Sequence, residues 1–220
     1  MSVKFYGWEV MYDDDQHLQA EQEPKSGRLY TMYHGTKVQV ARNIIRDGFR
    51  QSADGMLGPG VYVSRNQKKA ERYPLNSPVT DRVVLKLRVD VGKVKRIDTD
   101  NHPLQKSWHS QGYDTAWVPP NCGMRAVPSG LEEDCVWDPK RVEVVDIALA
   151  PNTNILAELQ GLIAQKQQQQ ANAGSTGQTA GAACQVCKKK MLLPHTVQAC
   201  WGCGENICTL TAKHFCSFRG

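Results

Sequence analysis

From Arg82 to Val89 the residues alternate, with Val83, Leu85, Leu87 and Val89 on one side. A period of two with one apolar face specifies a half-buried strand. Other short runs read the same way. Leu29 to Tyr33 forms a strand that ends at His34, and Val61 to Ser64 forms another. Gly92 breaks the alternating strand and Val94 to Ile97 resumes it. Cys135–Trp137 and Val142–Leu149 are final strands, stopped by Pro151. The aromatic run Phe5 to Tyr12 reads as one strand at the other end. Helical spacing occurs in Lys37 to Asp47, through Val40, Ile44 and Ile45, with Gly48 as its stop. Gln67 to Tyr73 predicts a second helix, ended by Pro74. Residues 55–60 read as a loop and 102–128 as loop-rich. Strands outnumber helices without a βαβα rhythm, so the fold class expected is α+β rather than doubly wound.

The 220 residues are 40% hydrophobic and 22% charged, ordinary for a globular protein and enough for one buried domain plus something small. No apolar run approaches the ~20 residues of a membrane span, so no membrane partner is expected. The N-terminus lacks the charged-then-apolar pattern of a signal peptide, which makes the cytoplasm, or the nucleus, the expected compartment. Ile155 to Ile163 predicts a short amphipathic helix. Gln165 to Ala183 is Gln, Ala, Gly, Ser and Thr with almost no apolar bulk, and reads as a flexible linker spanning ~25 Å. The expected division is therefore a body over 1–155, a helix and linker over 156–183, and a terminal module over 184–220. The net charge is +5. The tail from Cys184 holds Lys188, Lys189, Lys190, Lys213 and Arg219 against Glu205 alone, which leaves the body near neutral and argues against a large basic groove there.

Three separated segments carry the chemistry: His34-Gly35-Thr36, Gly60-Val61-Tyr62 and Glu133. Singly, such motifs are usually a turn, a core strand and a solvated face. Their order and spacing carry more. Together with Gly48-Phe49, Met56-Leu57-Gly58-Pro59, Lys69-Ala70, Tyr73, Val84 to Val89, Gly112-Tyr113-Asp114-Thr115 and Glu133 to Pro139, they resemble the catalytic domain of the poly(ADP-ribose) polymerases, in the branch with a His-Tyr-Glu set. The resemblance covers about 28–148. Through Phe5 to Tyr12 and Trp117-Val118-Pro119-Pro120-Asn121-Cys122-Gly123 the body also resembles the small reovirus-induced, interferon-stimulated members found in fishes.

The resemblance implies an ADP-ribosyltransferase-like fold of two packed, mainly antiparallel sheets with flanking helices. It implies an NAD-dependent glycosyltransferase that moves one or more ADP-ribose units to a protein acceptor, with a role in innate antiviral defence. A carboxylate such as Glu133 can bond a ribose hydroxyl and stabilise the positive charge that develops as nicotinamide leaves. The resemblance assigns His34 to the adenosine-side ribose and Gly35 to the carboxamide. It assigns Tyr62 and Tyr73 to the nicotinamide ring, where stacking is worth about 0.5–1.5 kcal/mol beyond area. Thr36, Lys69 and Ala70 complete the expected NAD site. Glu132 and Asp134 flank Glu133, and the following Val136-Trp137-Asp138 favours the middle residue. Ala70 stands where many relatives have a serine, and the loop from Arg50 to Pro59 is short. Both features also suit a non-catalytic adaptor that binds NAD, ADP-ribose or a protein.

Six of the eight cysteines crowd into the last 37 residues. Cys184-x2-Cys187, Cys200-x2-Cys203, Cys208 and His214-x-Cys216 have the spacing of tetrahedral zinc ligands. The tail resembles an AN-one-type zinc finger holding one or two zinc ions, with Thr211 where that pattern has a histidine. Cys200, Cys203, His214 and Cys216 make one complete set. Cys184, Cys187 and Cys208 lack a fourth ligand unless His195 supplies it. A single site of Cys184, Cys187, Cys200 and Cys203 is the simpler alternative. The expected finger partners are a ubiquitin-like protein or nucleic-acid phosphates beside Lys188-Lys189-Lys190.

Overall fold

The computed structural model describes residues 3–6, 9–12, 22–173, 197–199 and 206–208. The chain divides into two compact units, one of 18–164 and one of 1–17 together with 165–220. In the second of these, β1 (Val3–Tyr6) and β2 (Glu9–Tyr12) pair antiparallel, with Tyr6 opposite Glu9. The run expected as one strand is thus two. Its uniform apolar content signals strand but does not mark where the chain reverses.

The unit of 18–164 is mixed α+β, as the patterning predicts, and has two mostly antiparallel sheets. β3 (Leu29–Lys37), β5 (Arg82–Asp90) and β9 (Val142–Leu149) form the first, in the order β3-β5-β9. The second has the order β4-β8-β7-β6, built from β4 (Val61–Val63), β6 (Val94–Arg96), β7 (Thr115–Val118) and β8 (Glu133–Val136). Only β6 and β7 run parallel. A backbone bridge between Tyr33 and Ser64 ties the two sheets together.

Several expectations need correction. β3 continues past His34 to Lys37. Val94 onward does not resume the alternating strand but joins the other sheet as β6. The loop-rich stretch contains β7, whose four residues are all buried. With no polar face, β7 lacks the alternation that betrays a strand.

Helix α1 (Val38–Asp47) buries Val38, Ala41, Ile44 and Ile45, an i, i+3, i+6, i+7 stripe. Val40 lies off that stripe and is exposed. Gly48 stops the helix at φ 87°, and its N–H bonds the Ile44 carbonyl. Helix α2 (Gln67–Glu71) is a short turn that carries Lys69 and Ala70 inward. Helix α3 (Thr153–Ala173) packs Leu159 and Ile163 into the core and runs ten residues beyond the expected Ile163. Gln and Ala are good helix formers, and no glycine or proline intervenes between Ile163 and Ala173. The core between the sheets joins Met32, Leu85 and Ile147 to Val63, Trp117 and Val136. A second core of Leu57, Ile97, Trp108, Ala116, Val118 and Cys135 lies on the opposite face of the second sheet. β10 (Val197–Ala199) and β11 (Asn206–Cys208) pair antiparallel in the other unit.

Candidate functional site

β3, β4, α2 and the start of β8 surround a cleft of about 320 Å³. His34, Gly35, Tyr62, Lys69, Ala70, Tyr73 and Glu133 all line it. Seven of the eight residues expected at an NAD site thus meet in one place from four segments of chain. The eighth, Thr36, is buried and is not among the lining residues.

His34 lies within β3, its ring edge-on to Phe49, 5.2 Å between centroids. Its Nδ1 lies 2.7 Å from the Tyr62 carbonyl oxygen. A carbonyl only accepts, so Nδ1 carries the proton and Nε2 is left as an acceptor. Burial lowers the His34 pKa, partly offset by the bond to Tyr62, which keeps the ring neutral.

Gly35 is dictated by close approach. A Cβ there would collide with the Ala70 carbonyl oxygen and come within 2.9 Å of the Tyr73 carbonyl oxygen. β3 and the end of α2 therefore touch backbone to backbone. Tyr73 follows and is 37% exposed.

Tyr62 is fastened at its far end. Its hydroxyl accepts the Leu57 N–H at 3.0 Å and donates to the Gly58 carbonyl at 2.7 Å. Burial, with the neighbouring Cys135, pushes its pKa well up, so the phenol stays protonated. Burial likewise pushes the Cys135 thiol up to about 12. The same loop is held elsewhere too. Trp108 Nε1 donates to the Leu57 carbonyl at 2.7 Å, Gln105 donates to the Met56 carbonyl at 3.0 Å, and Ser52 pairs with Gly60. The short loop is a braced wall of the cleft.

Glu133 opens β8, and its Oε2 accepts a 3.0 Å bond from Lys69 Nζ. The Lys69 side chain is only 6% exposed and that of Glu133 14%. Lys69 also donates to Ser129 Oγ at 3.2 Å. The flanking acids do not line the cleft. Glu132 is fully buried against Arg65 and Trp117. Asp134 is fully buried, and among the described residues neither carboxyl oxygen has a hydrogen-bond partner. Burial and the nearby Glu132 raise its pKa well above the usual carboxylate range.

Ser52, Asp54 and Ala126 line the cleft without any sequence signal, and Ser129 reaches it only through Lys69. Isolated serines and aspartates in loops have no pattern to read. Among the described residues no group of three His, Cys, Asp or Glu side chains is arranged to hold a metal, and no helix is long and apolar enough to cross a membrane. The expected zinc ligands Cys184, Cys187, Cys200, Cys203, His214 and Cys216 lie outside the described residues. Cys208 ends β11, where the backbone alone is described. The chain matches no protein-family model and no curated protein.

Proposed function

We propose that the protein is an NAD-dependent ADP-ribosyltransferase of the poly(ADP-ribose) polymerase type, acting on a protein acceptor. The observation that carries this reading is the meeting of His34, Tyr62 and Glu133 in one cleft, with Glu133 oriented by Lys69. In this reading His34 Nε2 accepts a ribose hydroxyl, and the Tyr62 and Tyr73 rings take the nicotinamide between them. The Glu133 carboxylate bonds the nicotinamide-side ribose and stabilises the oxocarbenium-like charge as the C1–nicotinamide bond breaks. The acceptor then bonds C1, and its proton passes to Glu133 or to solvent. The cysteine-rich tail is proposed as a zinc finger that directs the enzyme to a ubiquitin-like or nucleic-acid partner, in the cytoplasm or nucleus. Antiviral defence is the proposed setting.

The test supplies radiolabelled NAD, candidate acceptors and cell lysate to purified zinc-loaded protein. Nicotinamide release and label transfer, lost in Glu133→Ala, are expected; their absence from wild type overturns the reading. Product size separates single from repeated transfer. One observation favours a second reading, a non-catalytic adaptor. Ala70 brings no hydroxyl to the cleft it lines, and a lost carboxamide bond is worth about 0.5–1.5 kcal/mol. Full biological function in Glu133→Gln would establish the adaptor instead.

A further inference from the structure

Glu132 makes more bonds than any carboxylate lining the cleft, yet it faces away from it. Its Oε1 accepts Arg65 Nε–H at 2.6 Å and Trp117 Nε1–H at 2.7 Å, and it pairs with Arg65 Nη2. Its Oε2 accepts the Arg65 backbone N–H at 3.2 Å. Its own carbonyl accepts the Ser64 hydroxyl at 2.8 Å. Arg65 in turn donates to the Gln22 carbonyl at 2.6 Å and lies over the Tyr30 ring, 5.7 Å from its centroid. The residue that precedes β8 is thereby fixed to the residues following β4, to β7 and to β3.

Successive residues of a strand point to opposite faces. Fixing Glu132 on the core side therefore fixes the direction in which Glu133 leaves the chain on the cleft side. A buried ion pair is a poor device for stability, because an apolar pair of similar volume serves as well. What an apolar pair lacks is direction, which charge-assisted, forked bonds supply.

We propose that Glu132 and Arg65 are a positioning pair for Glu133, holding the start of β8 so that the Glu133 carboxylate meets the substrate in one orientation. This inference rests on the transferase reading above. Neither residue touches the substrate; both act through Glu133.

The test compares wild type with the double variant Arg65→Met/Glu132→Leu, which removes both buried charges together, and with Trp117→Phe, which removes one bond to Glu132 and keeps a ring. Nicotinamide release from NAD is followed at varied NAD concentration beside thermal unfolding. In the double variant kcat falls about 100-fold, as expected for a displaced reacting group. Its KM stays within about threefold, because the His34, Tyr62 and Tyr73 contacts proposed for NAD are untouched, and it remains folded. Trp117→Phe loses about tenfold in kcat with the same KM. A folded double variant with wild-type kcat overturns the positioning role alone. Should the double variant not fold, Trp117→Phe decides, and an unchanged kcat in it overturns the role. A wild type that turns over no NAD overturns the transferase reading, and the positioning role with it.

Discussion

Lys69 and Glu133 face each other across 3.0 Å from α2 and β8, elements 64 residues apart, and both side chains are largely withdrawn from water. Withdrawing a charge from water is unfavourable unless it meets a partner, so each residue depends on the other. Lys69→Met leaves Glu133 without its cation and is expected to destabilise the fold by about 1–3 kcal/mol. In the double variant with Glu133→Gln the loss is smaller than the sum of the two single losses, with a coupling of at least about 0.5 kcal/mol. Urea unfolding of the four proteins measures it; additive losses would show the pair to be energetically independent.

Asp134 gives a pH signature. The unfolded chain ionises this acid near pH ~4, whereas burial and Glu132 make the folded chain hold its proton. A raised folded pKa contributes stability that is complete below the unfolded pKa and is lost as pH climbs towards the folded value. Asp134→Asn removes that loss. It is expected to exceed wild type in stability at pH 7, with the difference closing near pH 4. Unfolding free energies across that range check both the sign and the slope.

Gly35 has no room for a side chain, and the obstacles are backbone carbonyls of Ala70 and Tyr73 that cannot swing aside. Gly35→Ala is expected to cost about 1–3 kcal/mol and to displace α2 from β3. Binding of NAD, if the transferase reading holds, falls with it. A variant with unchanged stability would mean that the two segments separate freely.

Tyr62→Phe keeps the ring and deletes the hydroxyl. The Leu57 N–H then has no acceptor and the Gly58 carbonyl loses its donor. The expected cost is about 1–2 kcal/mol. Hydrogen exchange at Leu57 accelerates by more than exchange in β5. Equal acceleration at both would point to a global rather than a local loosening.

The parts of the fold legible in the sequence are those with a solvent face. β5 shows its alternation and α1 its stripe, because one side of each is polar. β7 was hidden because it is buried on both faces. β6 was visible as a strand but not in its sheet, since which partner a strand meets depends on distant chain. The cleft was legible through His34, Tyr62 and Glu133, residues distinctive enough to be placed by spacing. Spacing alone favours Glu133 over Glu132 and Asp134 in the sequence. In the folded chain Glu133 faces the cleft and its two neighbours turn inward, an alternation that three adjacent acids cannot show on paper. Lys69 lines the cleft, and its bonds there go to Glu133 and Ser129.

The braced loop around Leu57 sets the terms on which a ligand enters. A wall already tied down by Tyr62, Gln105 and Trp108 loses its conformational freedom when the chain folds, not when the ligand arrives. Most of the interaction energy gained in the cleft is then free to appear as affinity rather than be consumed in ordering protein. A small molecule that fits this shape meets a receptor that is rigid before the encounter, and one that does not fit finds little give.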